Sequence, residues 1–516
     1  MTPTFLKYKL NIFASLLFLF TFHLTFAIGT KPIKKNDKNE KFFIAQYENI
    51  LGTSFEMKIK ASSDKQAAIA EKIAIGEIKR LSKIVSTYDK NSEFSLWMKT
   101  QNKPIKASKE LIEVLSLFDY WKTKTDGALN PAVEAVSQVW KTAEINQILP
   151  SKESIQSAVR MANQKHWTID YTNRTITHLT NVPLILNTFV KSYIIDHATK
   201  KVINETAIES IVMNIGGDIL VSGNQSESVE IADPKANAIN DVALNIVRIQ
   251  NKFIATSGNY KRGNLIGNQW FSHIVDPRTG TPAENCISAS VIASNATDAG
   301  ALATAFNVLT IAESIELAKQ FPDVAYLIVT KDGEKVKSDN WTSQEIATEN
   351  TSNKNNHIVK NDQWDPAYEL NINLELAQIQ GGARRPFVAI WVENKDKASV
   401  RTLTVWFNKP RWLHDLRAWY NANYSKFNVE NQTINSVASA TRAAGKYTIK
   451  WDGKTDDGEY VKQGIYVLNI EVAREHGSHQ LISQEIKVNN KAVKIELASN
   501  PEVASASLEI KKKKDE

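Results

Sequence analysis

The sequence predicts an α+β domain followed by an all-β sandwich. Three observations carry that expectation. Between Phe42 and Thr342, runs with helical periodicity alternate with short β-rich runs. From 343 to 369 the chain turns polar and Asn-rich, with little core-forming power. From about Leu370 to Val488, short runs of alternating polarity are separated by turn residues, the spacing of a sandwich.

The elements follow in order. Lys7 and Lys9 precede the apolar run NIFASLLFLFTFHLTFA, and Thr25-Phe26-Ala27 sets small residues at a cleavage spacing. Residues 1–27 therefore have the form of a secretory signal, with a retained anchor as the alternative, which His23 disfavours. Residues 28–41 form a basic linker. Export is expected, to the periplasm or to the outside of the inner membrane, with membrane proximity if the segment stays. Cys286 is the only cysteine, so stability must come from packed cores rather than disulfides. The formal charge of +7 is mild and partly sits in KPIKKNDKNEK and the terminal KKKKDE, so no nucleic-acid partner is expected.

The first domain spans 42–342. FEMKIKA is a strand. SDKQAAIAEKIAIGEIKRLSKIVSTY opens on a Ser-Asp helix start and repeats Ile69, Ile73, Ile78 and Leu81 as an apolar face. SKELIEVLSLFDYWKTKT is a second helix, ended by Asp126-Gly127, and FVKSYIIDHATKKVINET is a third. SIVMNIGGDILVSG is a strand, a Gly-Gly break and a second strand. NATDAGALATAFNVLTIAESIELAKQF is helical, and VAYLIVT closes as a strand. The sandwich spans 370–490, with a basic tail at 491–516 that either pairs as one more strand or stays loose. No internal repeat is present.

The stretch SHIVDPRTGTPAENC, Ser272 to Cys286, sets His, Asp, Pro and Arg within six residues of a Thr-Gly-Thr-Pro turn. Its pattern predicts a strand end with His273 and Val275 on one face, then a tight turn. Alone, this is equally an ordinary turn with an Asp–Arg pair. Together with LGTSFEMKI, VSTYDKNSEFS, TDGALNPAVEAVSQVW, KSYIID, VMNIGGDI, IATSGNYKRG and ALATAF, in that order along the domain, it resembles the ApbE-type FAD:protein FMN transferases. The resemblance implies an enzyme that binds FAD and Mg²⁺, releases AMP and joins FMN to a Thr or Ser hydroxyl of a partner. It implies His273 as the general base and Leu51, Tyr88, Asp126, Gly127, Lys191 and Ile274 as the FAD site. It implies a metal held by Thr304, the Val190 carbonyl and a displaced Asp298.

The departures from the family pattern fall in the metal segment. The family's Ala-Asp-Ala-Leu-Ala-Thr helix sets its Asp four residues before the Thr, on one helical face. Here Gly300 stands in that place. Asp298 is six residues before Thr304, roughly 120° out of line on a regular helix, so it serves only if the helix starts late. Ile185 replaces an acidic FAD contact, Asn187-Thr188 replace two glycines, and Asn130 replaces an Asp. A flavin-binding or interaction protein without turnover, and an FAD pyrophosphatase, are therefore the alternatives to the transferase.

The second domain resembles a family of exported domains of unknown function found near flavin transferases. The resemblance rests on GGARRPFVAIWVENKD, VRTLTVWFNKPRWLHDLRAWY and SATRAAGKYTIKWDG. The family's third segment is similar to the Ser-Gly-Ala-Thr motif that such transferases modify. Here Ser439 and Ala443 break it, leaving Thr441 a poor substitute, so the expected acceptor is a separate exported protein carrying a Ser-Gly-Ala-Thr-like motif.

Overall fold

The structure is a computed structural model that describes residues 41–259, 262–346, 362–379, 385–407, 410–425, 438–439, 442, 444–475 and 477–513. The signal of 1–27, most of the 28–41 linker, the centre of the polar linker, Arg384, Thr441, Ala443 and the last three residues lie outside these. Among the described residues no helix is long and apolar enough to cross a membrane.

The first domain is built on an eight-stranded sheet whose order follows the chain. Its strands are β1 (Lys41–Ile50), β2 (Thr53–Ala61), β3 (Ser210–Ile215), β4 (Asp218–Gly223), β5 (Lys252–Gly258), β6 (Cys286–Ala293), β7 (Ala325–Thr330) and β8 (Lys335–Lys337). Every neighbouring pair is antiparallel. Alternate residues of each strand therefore point to opposite faces, and both faces are covered. One carries the main core, with Phe55, Met57, Met213, Phe253 and Val291 against helices. On the other, Val212, Ile219, Ile254 and Leu327 meet Trp341 and the hairpin of Glu227–Ile231 with Asn245–Ile249.

The helices are α1 (Asp64–Val85), α2 (Lys109–Lys124), α3 (Glu134–Asn146), α4 (Lys152–Ala162), α5 (Val190–Glu205), α6 (Ala296–Val308) and α7 (Ile311–Ala318). Ser63 caps α1 by accepting from the Gln66 N–H, as the Ser-Asp start predicts. Its buried face differs from the expected one. Ala67, Ala70 and Ala74 are buried with Ile78 and Leu81, while Ile69 is 47% exposed. Small side chains let α1 lie close to α5, and the larger isoleucine faces out. The expected second and third helices are α2 and α5. The long apolar run after Asn295 is divided into α6 and α7 at Leu309-Thr310, where Thr310 and Glu313 form a capping box.

The second domain is a sandwich of two sheets, as predicted. Its main strands are β9 (Tyr368–Leu376), β10 (Phe387–Asn394), β11 (Ser399–Trp406), β12 (Gly445–Trp451), β13 (Gly464–Ala473), β14 (His479–Val488), β15 (Val493–Leu497) and β16 (Val503–Lys512). One sheet has the order β12-β9-β16-β15; the other runs from Ala438–Ser439 through β11, β10, β13 and β14. Leu370, Ile372, Trp451 and Leu508 from the first meet Val388, Ile390, Trp406 and Ile470 from the second in one core. The helix α8 (Arg417–Asn423) closes a smaller core over Trp391 on the outer face.

Three expected boundaries are corrected. The tail from 491 is a strand pair: β16 pairs with β9 along its length, so it belongs to the sandwich. Residues 344–346 belong to the first domain, because Ile346 N–H donates to Ile246 O and Arg248 N–H to Gln344 O. Residues 362–364 already belong to the sandwich, where Trp364 N–H donates to Val461 O and the indole is buried.

The domains meet where the loop after Ile231 covers the free edge of β12. Asn240 exchanges both hydrogen bonds with the Lys450 backbone at 2.8 Å. Ile239 N–H donates to Thr448 O, and Lys450 Nζ pairs with Asp241 at 2.8 Å. This satisfies backbone groups that an exposed edge strand would leave open.

Candidate active site

Tight turns gather at one end of the large sheet. The β1–β2 turn holds Leu51 at φ 51° and Gly52 at φ 76°. The β3–β4 turn is Gly216-Gly217, both at positive φ. A Cβ on Gly216 would lie 2.7 Å from Thr53 Oγ1, so glycine is what lets these two turns touch. β5 finishes at the same end of the sheet, where Gly258 pairs with Ser288 at the start of β6.

The hairpin of Gly263–Ile266 with Gln269–Ser272 follows the end of β5 and leads into His273. The strand ends at Ser272, one residue earlier than the alternation requires, and the chain bends. His273 is exposed and Val275 buried, so the two do not share a face. Asn259 ties this region down by donating to Ala283 O at 3.2 Å and Cys286 O at 2.8 Å. Beyond it, Asp276 N–H donates to Thr281 O and Gly280 N–H to Asp276 O, closing the turn. Arg278 clamps it. Its guanidinium is bidentate to Asp276, with contacts of 2.7–3.1 Å, and Nη1 donates to Glu313 of α7 at 2.8 Å. Gly280 O accepts from Trp140 Nε1 at 2.9 Å.

His273 Nδ1 lies 2.9 Å from Arg262 O. A carbonyl only accepts, so Nδ1 carries the proton and the neutral ring presents Nε2 as a free base. Desolvation of the packed side of the ring lowers its pKa, helped by the Arg262 charge and opposed by the carbonyl bond. Both the tautomer and the shift favour a base in neutral solution.

The helix layer brings the other expected residues. The Asp126-Gly127 turn, with φ 47° and 83°, ends α2 beside Arg278, whose Cγ would be 3.7 Å from a Cβ on Gly127. Tyr88, 79% exposed after α1, accepts from Asn187 Nδ2 at 2.7 Å. The segment 185–189 leads into α5, and no side chain caps that helix, so Lys191 sits in a first turn whose N–H groups favour anions. Asn130 is buried, donating to Ala162 O while capping Ala132 N–H, a pair of bonds that an ionised Asp could not make.

Sequence reasoning missed Asp218. It opens β4 after Gly216-Gly217, within reach of Lys191. Burial pushes its carboxyl up to about 6, against the Lys191 charge, the Ser192 hydroxyl at 3.3 Å and the Thr256 N–H. A carboxylate at the head of an otherwise apolar strand was the available signal.

The expected metal ligands are only partly assembled. α6 crosses the start of α5, so Thr304 Oγ1 reaches Gly300 O at 3.1 Å and Thr188 O at 3.5 Å, with Val190 two residues on. Asp298 is not among them. α6 starts at Ala296 under an Asn295 cap, so the helix does not start late and Asp298 keeps its angular offset. It faces Asp323 instead, just before Ala325, which pairs with Ile292 at the other end of β6. Burial and that carboxylate push Asp298 up to about 6. A hydroxyl and a carbonyl without a carboxylate do not fit Mg²⁺, which prefers charged hard oxygen ligands. Among the described residues, no three His, Cys, Asp or Glu side chains converge as a metal site.

A family model described as the ApbE family matches residues 51–328, more than half of the chain. This chain belongs to the ApbE family. Residues 369–505 match a second model, described as "Predicted periplasmic protein (DUF2271)". The FAD:protein FMN transferase of Escherichia coli (strain K12) is 25% identical over 315 residues, covering 59% of this chain and 88% of that relative. The Chlamydia muridarum protein of the same name is 27% identical over 282 residues, covering 53% and 84%. The fold matches the crystal structure of the Thermotoga maritima ApbE protein with a TM-score of 0.53 at 24% identity, over 59% of this chain and 100% of that one.

Proposed function

We propose that this ApbE-family chain transfers FMN from FAD to a Ser or Thr hydroxyl of an exported acceptor protein, with release of AMP. The observation that carries this reading is the His273 imidazole, held by Arg262 O with Nε2 left as the base, in the segment that follows the end of β5. The names of the relatives support it. In the reaction, the acceptor oxygen attacks the phosphorus of the FMN half and its proton passes to Nε2 of His273. The bond to the AMP phosphate breaks, and AMP leaves with the electron pair. Lys191 and the N-terminus of α5 offset the pyrophosphate charge. Leu51, Tyr88, Asp126, Gly127 and Ile274 line the flavin side. The description of the sandwich family supports action in the periplasm, and the form of residues 1–27 supports export.

The reading is tested by mixing the protein with FAD and an acceptor domain bearing Ser-Gly-Ala-Thr-x-Thr, and quantifying AMP. AMP release matched to acceptor labelling and lost in His273→Ala supports the transferase. AMP with free FMN and an unlabelled acceptor selects the pyrophosphatase. The second reading, a flavin-binding protein without turnover, is favoured by the missing carboxylate at Gly300, and FAD recovered intact from the bound state would select it.

A further inference from the structure

The place where the carboxylate is missing is filled. A Cβ on Gly300 would lie 2.5 Å from Ser192 Oγ and 3.3 Å from Phe189 Cα. Ser192 is fully buried in the first turn of α5, between Lys191 and Tyr193. Positions 192 and 300 therefore share one space, which the Ser192 side chain fills. While Ser192 Oγ keeps this position, a side chain at 300 collides with it, and Phe189 leaves little room beside it.

The new hydroxyl is tied into a polar group of its own. Ser192 Oγ donates to Asp218 Oδ2 at 3.3 Å, and Asp218 also takes the Thr256 N–H and faces Lys191. The Asp218 carboxylate is therefore engaged by protein donors. The positive charge here comes from Lys191 and the uncapped start of α5.

We infer that this chain holds the flavin pyrophosphate without a divalent cation, because Ser192 occupies the space of the absent carboxylate and Lys191 with the α5 N-terminus supplies the positive charge. The inference rests on the flavin reading and deepens it.

Titration of FAD into the full-length protein, by calorimetry in excess EDTA and then in MgCl₂, tests it directly. Dissociation constants agreeing within about twofold are expected. A weakening of about tenfold or more in EDTA, restored by Mg²⁺, would overturn the inference and leave the flavin reading standing. No FAD binding in either buffer would overturn both. The reciprocal variant Ser192→Gly/Gly300→Asp recovers the space and the carboxylate, and its FAD affinity is expected to rise about tenfold with Mg²⁺. Gly300→Asp alone keeps the obstruction and is expected to show no such response. A Mg²⁺ response from Gly300→Asp alone, in a protein that unfolds as cooperatively as the parent, would show that Ser192 does not block the position.

Discussion

Gly280→Ala perturbs the turn behind His273 through two separable terms. Gly280 has φ 78°, a left-handed conformation that costs an L residue about 1–2 kcal/mol. Its missing Cβ would lie 2.4 Å from Ile155 Cγ2 and 2.9 Å from Val159 Cγ2, both on α4. Those methyls belong to β-branched side chains, which have one strongly preferred rotamer in a helix and cannot swing aside. Overpacking of this kind costs about 1–3 kcal/mol, so the sum is about 2–5 kcal/mol. In a domain of about 300 residues that lowers Tm by roughly 3–8 °C. Gly267→Ala isolates the first term, because Gly267 has φ 60° with nothing within 4 Å of its added Cβ. Urea unfolding of the three proteins is the assay. Gly280→Ala is expected to lose at least about 1 kcal/mol more than Gly267→Ala, the lower bound of the packing term. Equal losses would refute the claim that α4 seats the turn, and no loss in either would refute both terms.

The remaining expectations concern charge. The His273 pKa is lowered, so the neutral base persists below the usual histidine range, and kcat/KM should stay level from pH 8 to about 6.5 and fall only below it. An acid limb centred above pH 7 would contradict this. Arg278→Met strands the Asp276 carboxylate and should cost about 2–3 kcal/mol near neutral pH. Arg278 also holds Glu313 down to about 2, so that part of the stability is complete above about pH 4.5 and is lost as pH falls towards 2. The gap in urea midpoint between parent and variant should therefore narrow across that window. Asp298 is raised to about 6, so its ionised form weakens the fold as pH rises from about 4 through 6. Asp298→Asn should add on the order of 1 kcal/mol at pH 8 and nothing at pH 4, whereas a metal ligand would lose Mg²⁺ affinity on the same change.

The α+β plus sandwich order was legible because periodicity changes sharply across the polar linker, and Gly-Gly and Asp-Gly marked real turns. The face of α1 was misread because alanine carries it: Ala67, Ala70 and Ala74 pack, and the more apolar Ile69 does not. The pairing of β16 stays open in the sequence because its inward residues include small Ala506 and it runs into lysines, although Leu508 and Ile510 are fully core. The base segment was legible as chemistry but not as geometry, since alternation cannot see a bend at His273. Ser192 and Gly300 lie more than a hundred positions apart, and only the packing of α6 on α5 shows that they share one space.

Intact-mass measurement of the acceptor domain after incubation with FAD and the protein tests the transferase reading most directly. One added FMN per acceptor, with parent protein and not with His273→Ala, is the expected result. An acceptor of unchanged mass across several Ser-Gly-Ala-Thr-type sequences, with FAD bound and intact, would contradict it.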